Sequence, residues 1–349
     1  MAAERKIRVL IVDDSAIVRK MLAEALASEP DLEVVGTAPD PYVARDKILS
    51  LRPDVLTLDV EMPRMDGLTF LKKLMRFHPL PVIIISSLAQ SSSQTALEAL
   101  QCGAVEVLAK PGGPYSVGEL KQDLPQKVRA AAQARVGLAK PQLARPLAVP
   151  LVLSGASTST VIAIGASTGG TEAIREVLTA MPANMPGIVI VQHIPPVFSL
   201  AFANRLNDLC KLRVKEAADG DRVTSGLVLI APGNFHMTLV KAGGEYRVSI
   251  QDGPRVCYQR PSVDVLFESV ANVAKSDAIG AILTGMGSDG AQGLLRMKRA
   301  GARTIAQDEA SCVVFGMPRE AIRMGGVDRV LPLNRVAAEL TALSAMITR

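Results

Sequence analysis

Short apolar runs alternate with amphipathic stretches along the first part of the chain. The apolar runs predict strands at residues 7–12, 55–58, 82–85 and 105–108. The stretches between them have helical spacing and predict helices at residues 16–27, 68–77 and 95–102. This strand-helix-strand alternation is typical of a parallel sheet covered by helices on both faces.

The same alternation returns after residue 160. Apolar runs predict strands at residues 161–164, 188–191, 227–230 and 278–283, with helices beginning near residue 171 and spanning 291–300. Between the two halves, residues 121–160 are rich in Ala, Pro, Gln and Arg and indicate a helix that runs into a linker. We therefore expect a first domain at residues 1–124, a linker at 125–159 and a second domain at 160–349.

Composition narrows the class of protein. The 349 residues are 48% hydrophobic but only 3% aromatic, and Trp is absent, so stacking platforms for single-stranded nucleic acid are not expected. The net charge of +5 divides into about −3 for residues 1–124, +5 for 125–159 and +3 for the rest. A basic linker between nearly neutral domains is typical of a solvated spacer, so no nucleic-acid partner is expected.

Cysteine usage and hydropathy indicate a cytoplasmic protein. The four cysteines are tens of residues apart and form neither a zinc spacing nor a CxxC pair, which favours reduced thiols. The N-terminus has no long apolar segment of the signal-peptide kind, and no 18 apolar residues run uninterrupted. We expect neither secretion nor membrane insertion.

Polar residues stand where the strands of the first domain end. Asp13 and Asp14 follow the first strand, and Asp59 follows the run at 55–58. Such carboxylates, if they converge at one sheet edge, favour Mg²⁺. Ser86 and Lys110 end later strands and are placed to hold a phosphoryl group on Asp59. The competing interpretation is that each acid caps a helix, but all of these positions in order are hard to explain that way.

With these residues in place, positions 5–124 closely resemble the receiver domain of bacterial response regulators. The resemblance is carried by Val12-Asp13-Asp14-Ser15, Leu58-Asp59-Val60-Glu61-Met62-Pro63, Met65-Asp66-Gly67, Ile85-Ser86-Ser87 and Lys110-Pro111. It implies phosphorylation of Asp59 by a histidine kinase, Mg²⁺ held by Asp13, Asp14 and Asp59, and phosphoryl contacts from Ser86 and Lys110. One departure is Val107, at a position where many receivers carry an aromatic residue.

The second domain opens with a glycine-rich turn around Ser167. Residues 165–170 read Gly-Ala-Ser-Thr-Gly-Gly between a strand and a helix, which fits the G-x-S-x-G elbow of serine hydrolases. The helix N-terminus favours developing negative charge there. A phosphate-binding turn with a capping serine fits this motif equally well.

A nucleophilic serine needs a base, and the chain has three histidines. His193 follows the strand at 188–191 and is predicted to emerge at the same sheet edge as Ser167. His236, in a predicted loop after another strand, is the reserve candidate, and His78 lies in the first domain. Asp289, in a glycine-bordered turn after the strand at 278–283, is the expected orienting carboxylate, although helix capping is an alternative role.

The remaining groups of this expected site are backbone donors. Amides near Thr168 and Met286 are predicted to face the oxyanion. The chain order Ser, His, Asp differs from the common α/β-hydrolase order, in which the acid precedes the histidine. That fold is therefore not expected.

Residues 160–345 resemble instead the chemotaxis-type protein-glutamate methylesterases. The resemblance is carried by residues 164–170, Gln192-His193, Ala231-Pro232-Gly233, Arg260-Pro261-Ser262-Val263-Asp264 and Thr284-Gly285-Met286-Gly287. It implies a chemoreceptor substrate with methylated glutamates, release of methanol, deamidation of certain glutamines, and no cofactor for the esterase reaction. Arg260 and Ser262 are possible substrate contacts. The expected fold class is α/β, with a flavodoxin-like receiver and a Rossmann-like methylesterase domain, each a doubly wound parallel sheet.

Two other output functions are common alternatives to an esterase. A DNA-binding regulator requires a helix-turn-helix or a basic recognition helix, whereas residues 160–349 repeat strands and glycine-rich turns. A nucleotide-binding domain is disfavoured because residues 165–170 lack the G-x-G-x-x-G pattern and no Walker lysine follows. A gel shift with genomic DNA and a nucleotide titration distinguish these classes from an esterase.

Overall fold

The computed structural model describes residues 5–111, 117–136 and 160–347. The chain divides into two compact units, Met1–Leu138 and Ala139–Arg349. Residues 125–132 of the expected linker continue the last helix of the first unit, and residues 137–159 lie outside the described residues. The finer domain boundaries at residues 124 and 160 remain a proposal. Within the described ranges, no helix combines the length and apolar character needed to cross a membrane.

The first unit is a parallel sheet flanked by helices. Its strands are β1 (Ile7–Val12), β2 (Leu32–Ala38), β3 (Val55–Asp59), β4 (Val82–Ser86) and β5 (Glu106–Ala109). Its helices are α1 (Ala16–Ala27), α2 (Pro41–Leu51), α3 (Gly67–Phe77), α4 (Gln90–Gln101) and α5 (Val117–Ala132). The strand order is β2-β1-β3-β4-β5, with every pairing parallel.

Burial explains why these strands were visible in the sequence. All residues of β3, β4 and β5 are buried, and most of their side chains are apolar, as is typical of parallel strands covered on both faces. The strand order reverses between β1 and β3, which pair directly, and the crevice outside such a switch point is where doubly wound sheets bind ligands. Asp13 follows β1 and Asp59 ends β3, so both stand at that crevice.

The second unit contains a larger sheet and a separate hairpin. Its strands are β6 (Val161–Ala166), β7 (Gly187–Gln192), β8 (Arg213–Glu216), β9 (Leu227–Ile230), β10 (His236–Ala242), β11 (Glu245–Gln251), β12 (Ala278–Ile282), β13 (Arg303–Gln307) and β14 (Arg329–Leu331). Its α-helices are α6 (Gly170–Thr179), α7 (Phe198–Leu209), α8 (Val263–Val273), α9 (Ala291–Arg299), α10 (Met317–Arg323) and α11 (Leu333–Ile347).

Seven of these strands form one parallel sheet in the order β14-β13-β12-β6-β7-β9-β8. The central strands β6, β7 and β12 are completely buried. The predicted α/β fold class, with a parallel sheet in each unit, is confirmed. Because β12, β6 and β7 are neighbours, the residues that follow them meet at one edge of the sheet.

The antiparallel hairpin of β10 and β11 was not predicted. It packs against α8, where the Leu239 N–H donates to Ser269 Oγ at 2.8 Å, and it contributes Met237, Leu239 and Val248 to the core. His236 is the first residue of β10, so its expected position in a loop was wrong. Its ring is buried at the base of the hairpin.

Candidate active site

Ser167 lies in a tight turn between β6 and α6. Gly169 has a φ of +76°, in the left-handed region where glycine is favoured, and the Gly170 N–H donates to the Ser167 carbonyl at 2.7 Å. The N-cap of α6 is Gly169, with no capping bond from any side chain. The Ser167 hydroxyl therefore does not cap the helix, in contrast to the alternative of a capping serine.

Ser167 and His193 occupy corresponding places on neighbouring strands. Ala166 in β6 is the register partner of Gln192 in β7, and the next residue on each strand is Ser167 and His193. The His193 N–H donates to the Ala166 carbonyl at 3.1 Å. The Gln192 amide donates to the Ser167 carbonyl at 2.9 Å and thereby fixes the turn. Since neighbouring strands lie about 4.8 Å apart, the two side chains start side by side.

His193 is joined to Asp289 by one ring nitrogen. Nε2 of His193 lies 2.8 Å from Oδ2 of Asp289. Nδ1 is buried and has no hydrogen-bond partner among the residues that the structure describes. With Nε2 bound to the carboxylate, Nδ1 is the ring nitrogen that remains to accept a proton.

The carboxylate of Asp289 is held by the N-terminus of another helix. Oδ2 also accepts from the Val263 N–H at 2.7 Å, and Oδ1 accepts from the Asp264 N–H at 3.0 Å and from the Ser262 hydroxyl at 2.7 Å. The N-cap of its own following helix, α9, is Gly290 without a side-chain capping bond. Burial opposes ionisation of Asp289, but His193 and these backbone donors outweigh it and hold its pKa below the usual value.

A third side of the site is formed by the segment after β12. The Ser167 N–H donates to the Thr284 carbonyl at 3.0 Å, and Thr284 Oγ1 donates to the Thr168 carbonyl at 3.0 Å. A Cβ on Gly285 would lie 2.7 Å from Ser167 Cβ, so only glycine permits this approach. Met286 is half-buried and Thr168 fully buried beside the serine turn. Of the two expected oxyanion residues, Thr168 directly follows Ser167, and Met286 follows Gly285, which approaches Ser167 closely.

Val263, the first residue of α8, connects the serine strand with the Asp289 turn. A Cβ built on Gly165 would lie 2.2 Å from its Cγ1, and one built on Gly290 would lie 2.5 Å from the same atom. The Val263 side chain is completely buried between these two glycines. Its packing fixes how far α8 stands from β6.

Arg260 and Ser262, the expected substrate contacts, are engaged with the protein itself. The guanidinium of Arg260 binds Asn234 Oδ1, the Gly253 carbonyl at 2.5 Å and the carboxylate of Asp252. Ser262 is completely buried, caps α8 and donates to Asp289. These positions do not support substrate contact by Ser262. Arg260 connects the loop that contains Asn234 with the loop that contains Gly253.

The first unit holds a second cluster of polar groups. Carboxylate oxygens of Asp13, Asp14 and Asp59 lie within 4.8 Å of one another. Lys110 Nζ lies 2.7 Å from Asp59 Oδ2 and 3.2 Å from Asp13 Oδ2. The N-cap of α1 is Ser15 and that of α3 is Asp66, so these three acids do not cap the helices that follow them.

The chemistry of this cluster fits a hard divalent cation. Burial, with a contribution from Asp13, raises the pKa of Asp59 to about 6. Burial also raises the pKa of Asp13, whose buried Oδ2 has Lys110 Nζ 3.2 Å away. Three carboxylates that are crowded together around a single ammonium group are suited to an oxygen-seeking ion such as Mg²⁺.

Ser86 and Val107 complete the description of the expected switch. Ser86 is buried at the end of β4, where its hydroxyl donates to the Ser92 carbonyl at 3.3 Å and its carbonyl accepts from the Lys110 N–H at 2.8 Å. Val107 is 1% exposed in β5. The site of the usual aromatic residue is therefore filled by a small core side chain.

The supporting roles of three residues were not predicted from the sequence. Gln192, Ser262 and His236 support the site through hydrogen bonds rather than by carrying reactive atoms. The position of Gln192 beside His193 was a usable signal, because Gln192 ends the buried strand that His193 follows. Nothing in the sequence indicates that Ser262 reaches a carboxylate 27 positions away.

Comparisons with known proteins agree with this arrangement. The response regulator receiver domain model matches residues 9–121, and the CheB methylesterase model matches residues 162–340. The fold and the two sites thus define a response regulator with an enzymatic output domain. The chain belongs to the CheB methylesterase family.

Individual relatives extend over nearly the whole chain. The protein-glutamate methylesterase/protein-glutamine glutaminase 2 of Syntrophus aciditrophicus is 58% identical, covering 97% of this chain and 99% of that one. The corresponding protein of Salmonella typhimurium is 54% identical, with 97% of each chain covered. The crystal structure of the Thermotoga maritima CheB methylesterase catalytic domain matches with a TM-score of 0.52 and 40% identity, covering 53% of this chain and 98% of that one.

Proposed function

We propose that the protein is a protein-glutamate methylesterase in which Ser167 is the nucleophile, His193 the base and Asp289 the orienting acid. The observation that carries this proposal is the placement of Ser167 and His193 after register partners of β6 and β7, with His193 bound to Asp289 at 2.8 Å. Family membership and the names of the relatives support the same activity.

The reaction follows from the protonation states of these groups. Ser167 Oγ attacks the ester carbonyl while Nδ1 of His193 takes the hydroxyl proton. The carbonyl oxygen becomes an oxyanion facing the amides near Thr168 and Met286. When the tetrahedral intermediate collapses, the bond between its central carbon and the methoxy oxygen breaks. His193 gives its proton to that oxygen, and methanol is released. Water, activated by His193, then cleaves the acyl-enzyme to a free glutamate and Ser167.

The substrate proposed is a glutamate methyl ester on the cytoplasmic region of a chemoreceptor. The relatives' names also support deamidation of glutamine. The same acyl-enzyme serves both reactions, because only the leaving group changes from methanol to ammonia. No cofactor is required, since the proton transfers are carried by His193. A cytoplasmic location, in a two-component chemotaxis system without nucleic-acid partners, accompanies this proposal.

The first unit is proposed to switch this activity. Asp59 receives the phosphoryl group from a histidine kinase, and Asp13, Asp14 and Asp59 would hold Mg²⁺, which would neutralise phosphate charge. Ser86 and Lys110 contact the phosphoryl oxygens. The distances from Lys110 to Asp59 and Asp13 support this assignment. The unphosphorylated receiver is proposed to hinder access to Ser167 and to release it on phosphorylation.

The test is direct measurement of the leaving group. Membranes carrying a methyl-labelled receptor are incubated with the protein, and volatile methanol is measured with and without a small phosphodonor. We expect release by the wild type, faster with phosphodonor, and none by Ser167→Ala. Release of methanol at equal rates by wild type and Ser167→Ala would reject the serine mechanism.

A further inference from the structure

His236 is a buried histidine that the proposed reaction does not use. His236, the first residue of β10, is 6% exposed. Nδ1 accepts from the Ser262 N–H at 3.2 Å, and Nε2 lies 2.9 Å from the Pro254 carbonyl, which can only accept. Both contacts are satisfied together when the ring is neutral with its proton on Nε2.

Ser262 continues the chain of contacts from His236 toward the site. Its hydroxyl donates to Asp289 Oδ1 at 2.7 Å, and the hydroxyl oxygen Oγ of Ser262 accepts from the Val265 N–H at 3.4 Å. The backbone of Ser262 must therefore stand where its short side chain reaches both partners. The His236 side chain helps to hold that backbone position, because its Nδ1 accepts from the Ser262 N–H.

Asp289 depends on this arrangement for the direction of its carboxylate. Without the Ser262 hydroxyl, Oδ1 keeps one of its two donors, the Asp264 N–H, whereas Oδ2 keeps both Val263 and His193. An unbalanced carboxylate rotates about its terminal torsion, which has broad minima. Rotation misaligns Oδ2 with Nε2 of His193 and so disturbs the ring that faces Ser167.

We propose that His236 is a positioning residue of the esterase, which acts through Ser262 on the carboxylate of Asp289. This inference rests on the proposed function, because it concerns the efficiency of the same site. If His236 only connects the hairpin to the Pro254 loop, the contact that matters is the one made by Nε2. If His236 positions Asp289, the contact that matters is the one between Nδ1 and the Ser262 N–H.

Two substitutions separate the two ring nitrogens. His236→Asn keeps an acceptor near the position of Nδ1 and loses the donor to Pro254. His236→Gln keeps a donor near the position of Nε2 and loses the acceptor for the Ser262 N–H. We expect His236→Gln to lower kcat about tenfold to a hundredfold with little change in KM, and His236→Asn to stay within about threefold of wild type.

Ser262→Ala provides an independent arm, should a His236 variant fail to fold. We expect it to reproduce the kcat loss of His236→Gln. The double variant should be little worse than Ser262→Ala alone, because both changes break the same chain of contacts. Losses that multiply in the double variant, or a His236→Asn enzyme as slow as His236→Gln, would overturn the proposal. An unchanged kcat in His236→Gln would do the same.

A second readout does not depend on catalysis. The chain has three histidines, so ¹⁵N-histidine labelling of the full-length protein gives few ring signals, which the variants themselves assign. We expect the low-field proton between His193 Nε2 and Asp289 to shift in His236→Gln and Ser262→Ala but not in His236→Asn. If the wild type releases no methanol, the proposed function fails while this resonance still tests the contact. If methanol is released and the resonance ignores His236→Gln, the positioning role alone is rejected.

Discussion

Nε2 of His193 lies 2.8 Å from Oδ2 of Asp289, and both side chains are almost completely buried. This contact fixes the proton of the neutral ring on Nε2 and leaves Nδ1 as the basic nitrogen. It also gives the buried carboxylate one of its four hydrogen bonds. Catalysis and stability are therefore coupled at Asp289.

Substitutions in the proposed triad should differ in kind. We expect Ser167→Ala and His193→Gln to lower kcat by about a thousandfold or more while the protein stays folded. Asp289→Asn should cost less activity, yet it should lower the unfolding midpoint, because its amide group faces N–H donors. Methanol release and circular dichroism measure the two effects. The exposed Ser276→Ala and His78→Gln are matched controls and should behave as wild type. An active Ser167→Ala enzyme would contradict the assignment.

The close contact between Gly165 and Val263 makes a steric prediction. An added Cβ in Gly165→Ala would lie 2.2 Å from Val263 Cγ1 and forces α8 away from β6. We expect a destabilisation of about 1–3 kcal/mol and a lower kcat, because α8 carries the donors to Asp289. Denaturant unfolding and methanol release are the measurements. In the control Gly253→Ala, the nearest contact would be 3.5 Å, so little change is expected. Equal stability of the two variants would show that α8 adjusts freely.

Asp264 makes stability depend on pH. Burial, with Asp289 nearby, raises its pKa to about 6, above the ordinary value of 3.8. Its contribution to stability is therefore present below about pH 4 and is lost as the pH rises through 6. Asp264→Asn keeps an acceptor for the Gly293 N–H. Its free energy of unfolding, relative to that of the wild type, should rise by about 1–3 kcal/mol as the pH increases from 4 to 7.5. Denaturant unfolding across that range, with exposed Asp208→Asn as control, measures the gain. A pH-independent difference would contradict the origin in ionisation.

Phosphorylation should require Asp59 and a divalent cation. With a small phosphodonor and Mg²⁺, we expect the wild type to gain the mass of one phosphoryl group in intact-protein mass spectrometry. Asp59→Asn should gain none, and chelation of the metal should prevent the gain in the wild type, since the clustered carboxylates need a cation before phosphate can approach. Asp46→Asn, an exposed acid in α2, is the control. Persistent phosphorylation of Asp59→Asn would place the acceptor elsewhere.

Removal of the receiver tests the direction of regulation. A fragment that begins at Thr160 should have a higher basal rate than the unphosphorylated full-length protein, by about tenfold to a hundredfold if the two states differ by a few kcal/mol. Its rate should not respond to phosphodonor. Methanol release from receptor membranes compares the two proteins. A fragment no faster than the full-length protein would favour activation by contact or by substrate recruitment.

The sequence predicted those features that depend on local pattern. Strands β1, β3, β4, β5, β6, β7, β9 and β12 were predicted because most of their residues are buried and apolar. Strand β2 was missed, since Glu33, Gly36 and Thr37 interrupt it and its residues are mostly half-buried. The hairpin of β10 and β11 was missed because alternating polar residues and a single exposed face dilute its apolar character.

The features of the candidate site likewise fall into those that the sequence predicted and those that it did not. Ser167, His193 and Asp289 could be selected because each follows a buried strand. The choice of Nε2 for Asp289, the inward direction of Ser262 and the engagement of Arg260 with Asn234 all depend on how α8 and the hairpin pack. Such tertiary contacts leave no periodic trace in a sequence.

The distances along the chain between the catalytic groups have a consequence for folding. His193 and Asp289 are 96 positions apart, and they meet only after β7, β6 and β12 have paired. Contacts of such long range are formed late and slowly compared with local turns. A partly collapsed chain is therefore expected to lack esterase activity. The recovery of methanol release during refolding measures how quickly the central strands β7, β6 and β12 pair.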